Sequence, residues 1–134
     1  MGILRPQITD RKVVVRKTVV FNAPGAATVA AEPFAYVMPE DGHYVSTVVH
    51  AGTAPVTGSL IADVNLDGTT LYTTQGSRPT IASTESVSSE AAGTDVTTLP
   101  QGSVITFDVD AIGSGTAGSD LTYILTYNAY AHPR

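Results

Sequence analysis

Ser103-Val104-Ile105-Thr106-Phe107-Asp108-Val109-Asp110-Ala111 decides how the rest of this chain is read. Ile105, Phe107, Val109 and Ala111 alternate with Val104, Thr106, Asp108 and Asp110. Successive side chains of a strand point to opposite faces, so the stretch predicts a strand with one buried and one wet face. The same rhythm runs through Asp120 to Tyr130, where Leu121, Tyr123, Leu125, Tyr127 and Ala129 form the apolar row.

Working outward, Lys12 to Phe21 reads as a first strand with Val13, Val15, Val19 and Phe21 on one face and Lys12 and Arg16 on the other. Charges of that kind discourage an edge strand from pairing with foreign chains. Asn22 to Glu32, with Pro24 and Gly25, reads as loose. Phe34, Tyr36 and Met38 then share a face, and Pro39-Glu40-Asp41-Gly42 reads as a turn in which Gly42 takes positive φ. His43 to Ala51 is the next strand, ended by Gly52-Thr53-Ala54-Pro55. From Ser59 to Leu66, Leu60, Ala62, Val64 and Leu66 alternate with Ile61, Asp63, Asn65 and Asp67. Asp67-Gly68 is a hairpin signal, returning through Leu71 and Tyr72. Arg78 to Ser83 is a short strand, and Thr84 to Gly93 is a loop or a single helical turn.

Val, Ile and Thr are abundant, and β-branched side chains favour a pleated strand over a helix. About eight short strands separated by turn residues predict an all-β fold, an antiparallel two-sheet sandwich of Greek-key or jelly-roll kind. A chain of 134 residues makes one domain with its own core. Within it, residues 1–21 are expected to be an extended basic N-terminal arm and first strand, and 22–134 the sandwich proper.

Charge is segregated. The first seventeen residues carry Arg5, Arg11, Lys12, Arg16 and Lys17 against Asp10, a net +4, while the remainder carries −9. An acidic body repels phosphates, which argues against duplex nucleic acid as a partner. A basic arm on such a body points to docking on an acidic neighbour, and the candidate partner-docking residues are therefore Arg5, Arg11, Lys12, Arg16 and Lys17. The absence of cysteine leaves neither a disulfide framework nor a thiolate ligand, as in chains that fold in a reducing cytoplasm. Met1 to Lys17 lacks the apolar core of a secretory leader, and no stretch approaches the ~20 apolar residues of a membrane-spanning helix, so neither is expected.

Two stretches imitate known sites. Gly113-Ser114-Gly115-Thr116-Ala117-Gly118 has the G-x-G-x-x-G pattern, which binds pyrophosphate where it opens a helix. A strand pattern follows here instead, so a flexible β–β loop is expected. Asp63-x-Asn65-x-Asp67-Gly68 matches the start of a calcium loop, but its twelfth position is Thr74 rather than a bidentate Glu. Period two explains the spacing as the outward face of a strand.

His43, His50 and His132 lack metal-ligand spacing, and no G-x-S-x-G elbow exists. Asp108 and Asp110 fall on one wet row and are expected to be solvated. Tyr123, Tyr127 and Tyr130 suit sheet packing better than an exposed platform. No catalytic group, cofactor or metal is expected, and an enzyme is not.

From Tyr36 onward the sequence resembles a small β-sandwich domain found in virion proteins of tailed phages. The segments that carry the resemblance are Met38-Pro39-Glu40-Asp41-Gly42, Ala51-Gly52-Thr53-Ala54-Pro55 and Gly58-Ser59-Leu60-Ile61-Ala62-Asp63-Val64-Asn65. Asp67-Gly68-Thr69-Thr70-Leu71-Tyr72, Arg78-Pro79-Thr80-Ile81-Ala82, Gly102 to Val109 and Gly113 to Leu121 continue it in order. The resemblance implies a jelly-roll-like module, often trimeric, in capsid-decoration, tail-tip or fibre positions, with no shared catalytic residue.

The expectation is therefore a virion protein assembled in the host cytoplasm: a decoration (cement) protein that binds the major capsid protein and stabilises the assembled head. The alternative is a tail-tip or fibre module that binds host-surface carbohydrate, because jelly rolls also serve as lectin domains.

Overall fold

Residues 13–91 and 96–131 are described in this computed structural model. Their elements in chain order are β1 (Val13–Ala26), β2 (Ala30–Ala31), β3 (Tyr36–Val37), β4 (Gly42–Thr53), β5 (Leu60–Leu66) and β6 (Thr69–Thr70), then a 3₁₀ turn (Gln75–Ser77) and β7 (Thr80–Ile81). The chain continues with β8 (Thr98–Leu99), β9 (Val104–Ala111) and β10 (Ser119–Ala131).

Two antiparallel sheets result. Sheet A runs β1-β10-β4-β8, and sheet B runs β2-β9-β5-β6 with β3 also on β9 and β7 also on β5. β2 and β3 meet β9 at Val109–Asp108 and Ile105–Val104, so they are two pieces of one edge, as β6 and β7 are along β5. Counted that way the described residues form eight strand positions, in which first pairs with last, second with seventh, third with sixth and fourth with fifth. These pairs alternate between the two sheets, which is the jelly-roll arrangement.

Alternation in the long strands builds the core. Leu121, Tyr123, Leu125, Tyr127 and Ala129 of β10 face Ile105, Phe107 and Val109 of β9 across the sandwich, all buried. Val49 and Ala51 of β4 and Leu60, Ala62 and Val64 of β5 complete the two inner faces. Phe21, Phe34, Phe107 and Tyr123 form an aromatic stack, with centroids 4.7 Å apart for Phe21 and Phe34, 5.4 Å for Phe34 and Phe107, and 4.8 Å for Phe107 and Tyr123. Such pairs contribute about 0.5–1.5 kcal/mol each beyond the apolar area they bury.

Buried phenols need partners, and each has one. Tyr123 donates to Glu32 Oε2 at 2.9 Å. The hydroxyls of Tyr36 and Tyr127 meet at 2.8 Å. Tyr44 bonds Tyr72 and Thr47, and both tyrosines reach the Ala91 carbonyl.

The hairpin signal is fulfilled: Asp67 (φ 50°) and Gly68 (φ 84°) both take positive φ between β5 and β6, the requirement of a type I′ turn. Other expectations need correction. Gly42 is not in a positive-φ turn but opens β4, where an added Cβ would lie 2.9 Å from both Met38 Cε and Tyr127 Cδ2; its role is close approach. The segment expected to be loose after Phe21 continues β1 to Ala26 through an irregularity between Ala23 and Ala26. Val13, Val15, Val19 and Phe21 were expected to share one face; of these Val19 is buried, while Val13 and Val15 are exposed because the core begins only at Val19. Thr84 to Gly93 contains no helical turn among its described residues. It runs beside β4 through bridges His50–Val87 and Thr47–Ala91.

Candidate functional site

The outer face of sheet B holds the acids that the sequence brought forward. Asp63 and Asn65 lie on the outward face of their strand as expected, yet they are only 6% and 8% exposed. Register explains why: Asp63 lies opposite Asp108, and Asn65 opposite Thr106 and Thr70. Asp63 Oδ1 accepts from the Thr70 hydroxyl at 2.7 Å and the Val64 amide at 2.8 Å. Asn65 Nδ2 donates to Asp108 Oδ2 at 2.6 Å, and Arg78 Nη1 pairs with Asp110 Oδ2 at 2.7 Å. Asp108 and Asp110 are thus half-buried and partnered rather than simply solvated. Burial holds the Asp63 carboxyl above the ordinary carboxylate range, opposed by its two hydrogen bonds. The face is closed on itself. Among the described residues no group of three or more His, Cys, Asp or Glu is arranged to hold a metal ion.

Gly113 to Gly118 is indeed a β–β loop joining β9 to β10, but tightly laced rather than flexible. The amides of Ser114, Gly115 and Thr116 donate to the carbonyls of Thr57, Val56 and Val56, and the Val56 amide returns a bond to Thr116. A Cβ on Gly113 would lie 2.1 Å from the Thr116 carbonyl oxygen. Amides that cradle a phosphate point outward to it; these point into the chain.

The tyrosines of β10 divide. Tyr123 and Tyr127 are fully buried, while Tyr130 sits on the outer face opposite Val14. A shallow groove of about 150 Å³ lies where β1 bulges, lined by Asn22, Pro24, Asp120 and Thr122. Small-molecule sites are typically two or more times larger, at roughly 300–1,000 Å³. No described helix is long and apolar enough to cross a membrane.

Of the basic residues proposed to dock a partner, Arg5, Arg11 and Lys12 lie outside the described residues. Arg16 and Lys17 lie in β1, the terminal strand of sheet A. Their side chains take opposite sides. Lys17 turns toward the inner side and pairs with Glu40 Oε1 at 2.6 Å, a hydrogen bond that raises its pKa above the ordinary lysine value. Arg16 lies on the outer face with its Nε 3.4 Å from Asn128 Oδ1.

That outer face of sheet A was missed in the sequence. Its middle row is Val20–Ile124–Val48, aligned across three strands by register. Asn22–Thr122–His50 lies on one side of it, with Val87 bridged to His50; Thr18–Thr126–Ser46 lies on the other. Beyond come Arg16–Asn128–His43 and Val14–Tyr130. These rows contain no carboxylate, and their one formal charge is Arg16. Val14, Val20 and Val87 are 55%, 53% and 50% exposed. The signal was present as the apolar doublets Val19-Val20, Val48-Val49 and Ile124-Leu125, which break the alternation and place a β-branched residue outward.

No protein-family model matches the chain, and no curated protein matches it either.

Proposed function

We propose that this chain is a structural protein of a tailed-phage virion, a decoration protein that binds the assembled head and stabilises it by contact alone. The observation that carries the reading is the division of the surface. The polar groups of sheet B and of the β9–β10 loop are bonded within the chain. The carboxylate-free outer face of sheet A and the terminal strand β1 with its exposed valines stand ready for a neighbour. The sequence resemblance supplies the phage context.

A protein that binds an assembled shell but not its separated subunits stabilises the shell by mass action, and many copies multiply the effect. In this reading the basic segment docks on an acidic patch of the major capsid protein. Residues 1–12 and Arg16 contribute most of its charge, because Lys17 is already paired with Glu40.

The test is occupancy on purified heads of the phage that encodes the chain. Removing residues 1–12 keeps every described residue of β1. The expected result is a loss of occupancy that resembles the effect of high salt on the full chain, since exposed charge contacts are screened. Full occupancy by the truncated chain would remove the arm from the docking role.

A further inference from the structure

We infer that the outer face of sheet A is a self-association surface, on which a second copy of this chain packs face to face about a two-fold axis parallel to β10. The inference goes beyond the decoration reading and needs no capsid.

Charge selects the occupant. Outside its first seventeen residues the chain carries a net −9, so two copies repel over most of their surface. The five rows from Asn22–Thr122–His50 to Val14–Tyr130 bear no carboxylate, and through them two copies meet without that penalty. Shape and order agree. An isologous contact sets the same patch against itself. With the axis along β10, β1 of one copy lies over β4 of the other, which sets Val20 over Val48 and Ile124 over its own symmetry mate. The same operation sets Arg16 over His43 and keeps the two Arg16 guanidinium groups about 10 Å apart laterally, twice the strand spacing. The flanking polar rows are partly satisfied within each copy, with the Thr122 hydroxyl donating to Asn22 Oδ1 at 2.8 Å and Ser46 buried, so the contact rests on the apolar row. Aligned sheet packing of this kind places two faces about 10 Å apart.

The size of the face sets the strength. From Val14 to Asn22 it is about 27 Å long, and across its three strands β1, β10 and β4 about 15 Å wide. Two copies therefore bury roughly 800–1,000 Å² in total, at the lower limit for specific association. The dimer should be micromolar or weaker and held by apolar contact rather than ion pairs.

Sedimentation equilibrium of the full chain between about 5 and 500 µM tests this, with Val20→Glu on the face and Val29→Glu, exposed but off it, as the matched control. A concentration-dependent dimer is expected, little changed between low and high sodium chloride and strengthened by sulfate. V20E should weaken it at least about tenfold at unchanged circular dichroism and Tm, and V29E should leave it intact. Four outcomes would overturn the inference: a monomer throughout the range, a trimer, a dimer abolished by sodium chloride, or equal effects of V20E and V29E. A full chain that is monomeric while the chain lacking residues 1–12 dimerises would also overturn it, since the arm would then be the occupant.

Discussion

The two outer faces of the sandwich differ in what their side chains touch. On sheet B, Asp63, Asn65, Asp108 and Asp110 are bonded to Thr70, Arg78 and one another, and two of the four are buried. On sheet A, the corresponding rows are Val, Ile, Thr, Ser, Asn, His and Tyr with one Arg and no carboxylate; Thr122 bonds Asn22, while Val20 and Val14 are more than half exposed. The lesson is that an acidic outer face can be self-sufficient while a face with an exposed apolar row is left incomplete. Side chains of the first kind report on folding, and those of the second on association.

The common core sets the scale for breaking this comparison. Phe107→Ala removes the ring between Phe34 and Tyr123 and should cost about 3–5 kcal/mol in urea unfolding, more than any change on either outer face. Asn65→Ala removes the amide that donates to the Asp108 carboxylate and should cost about 1–3 kcal/mol, measured the same way. Val20→Thr on the opposite face should change stability by no more than about 0.5 kcal/mol. Equal costs for Asn65→Ala and Val20→Thr would erase the distinction between the faces.

A gentler probe is pH. The folded-state pKa of Asp63 lies above its ordinary value of 3.8, so the native state holds the proton more tightly than the unfolded state. Stability should therefore fall as pH rises from about 3.8 through the folded pKa and stay lower above it. Asp63→Asn keeps an acceptor for Thr70 and Val64 and removes the charge. Its Tm should exceed that of the parent at pH 7, with the advantage closing as pH falls toward 3.8. A constant difference at every pH would assign the effect to packing instead.

Much of the fold was legible. Alternation in β9 and β10 gave the right inward residues, and Asp67-Gly68 gave the hairpin, because both signals act through neighbours in sequence. Edge pieces such as β2, β3, β6 and β7 are two residues each, too short to show any period. Gly42 was read as a turn residue because a sequence shows what glycine permits, not what packs against it. The buried Asp63 and Asn65 are bonded to Thr70 and Asp108, which come from other elements and were invisible at their own positions. The sheet A face was hidden in another way. Each apolar doublet is readable alone, but only register aligns Val20, Ile124 and Val48 into one row.

The most direct test of the central claim is an electron cryomicroscopy map of the intact particle, resolved well enough to orient the sandwich. The account predicts this chain on the head, with β1 and the sheet A side against a neighbouring subunit or second copy and the Asp63–Asp108 face toward solvent. The opposite orientation, with the acidic face of sheet B forming the contact and the Val20–Ile124–Val48 row left bare, would contradict it.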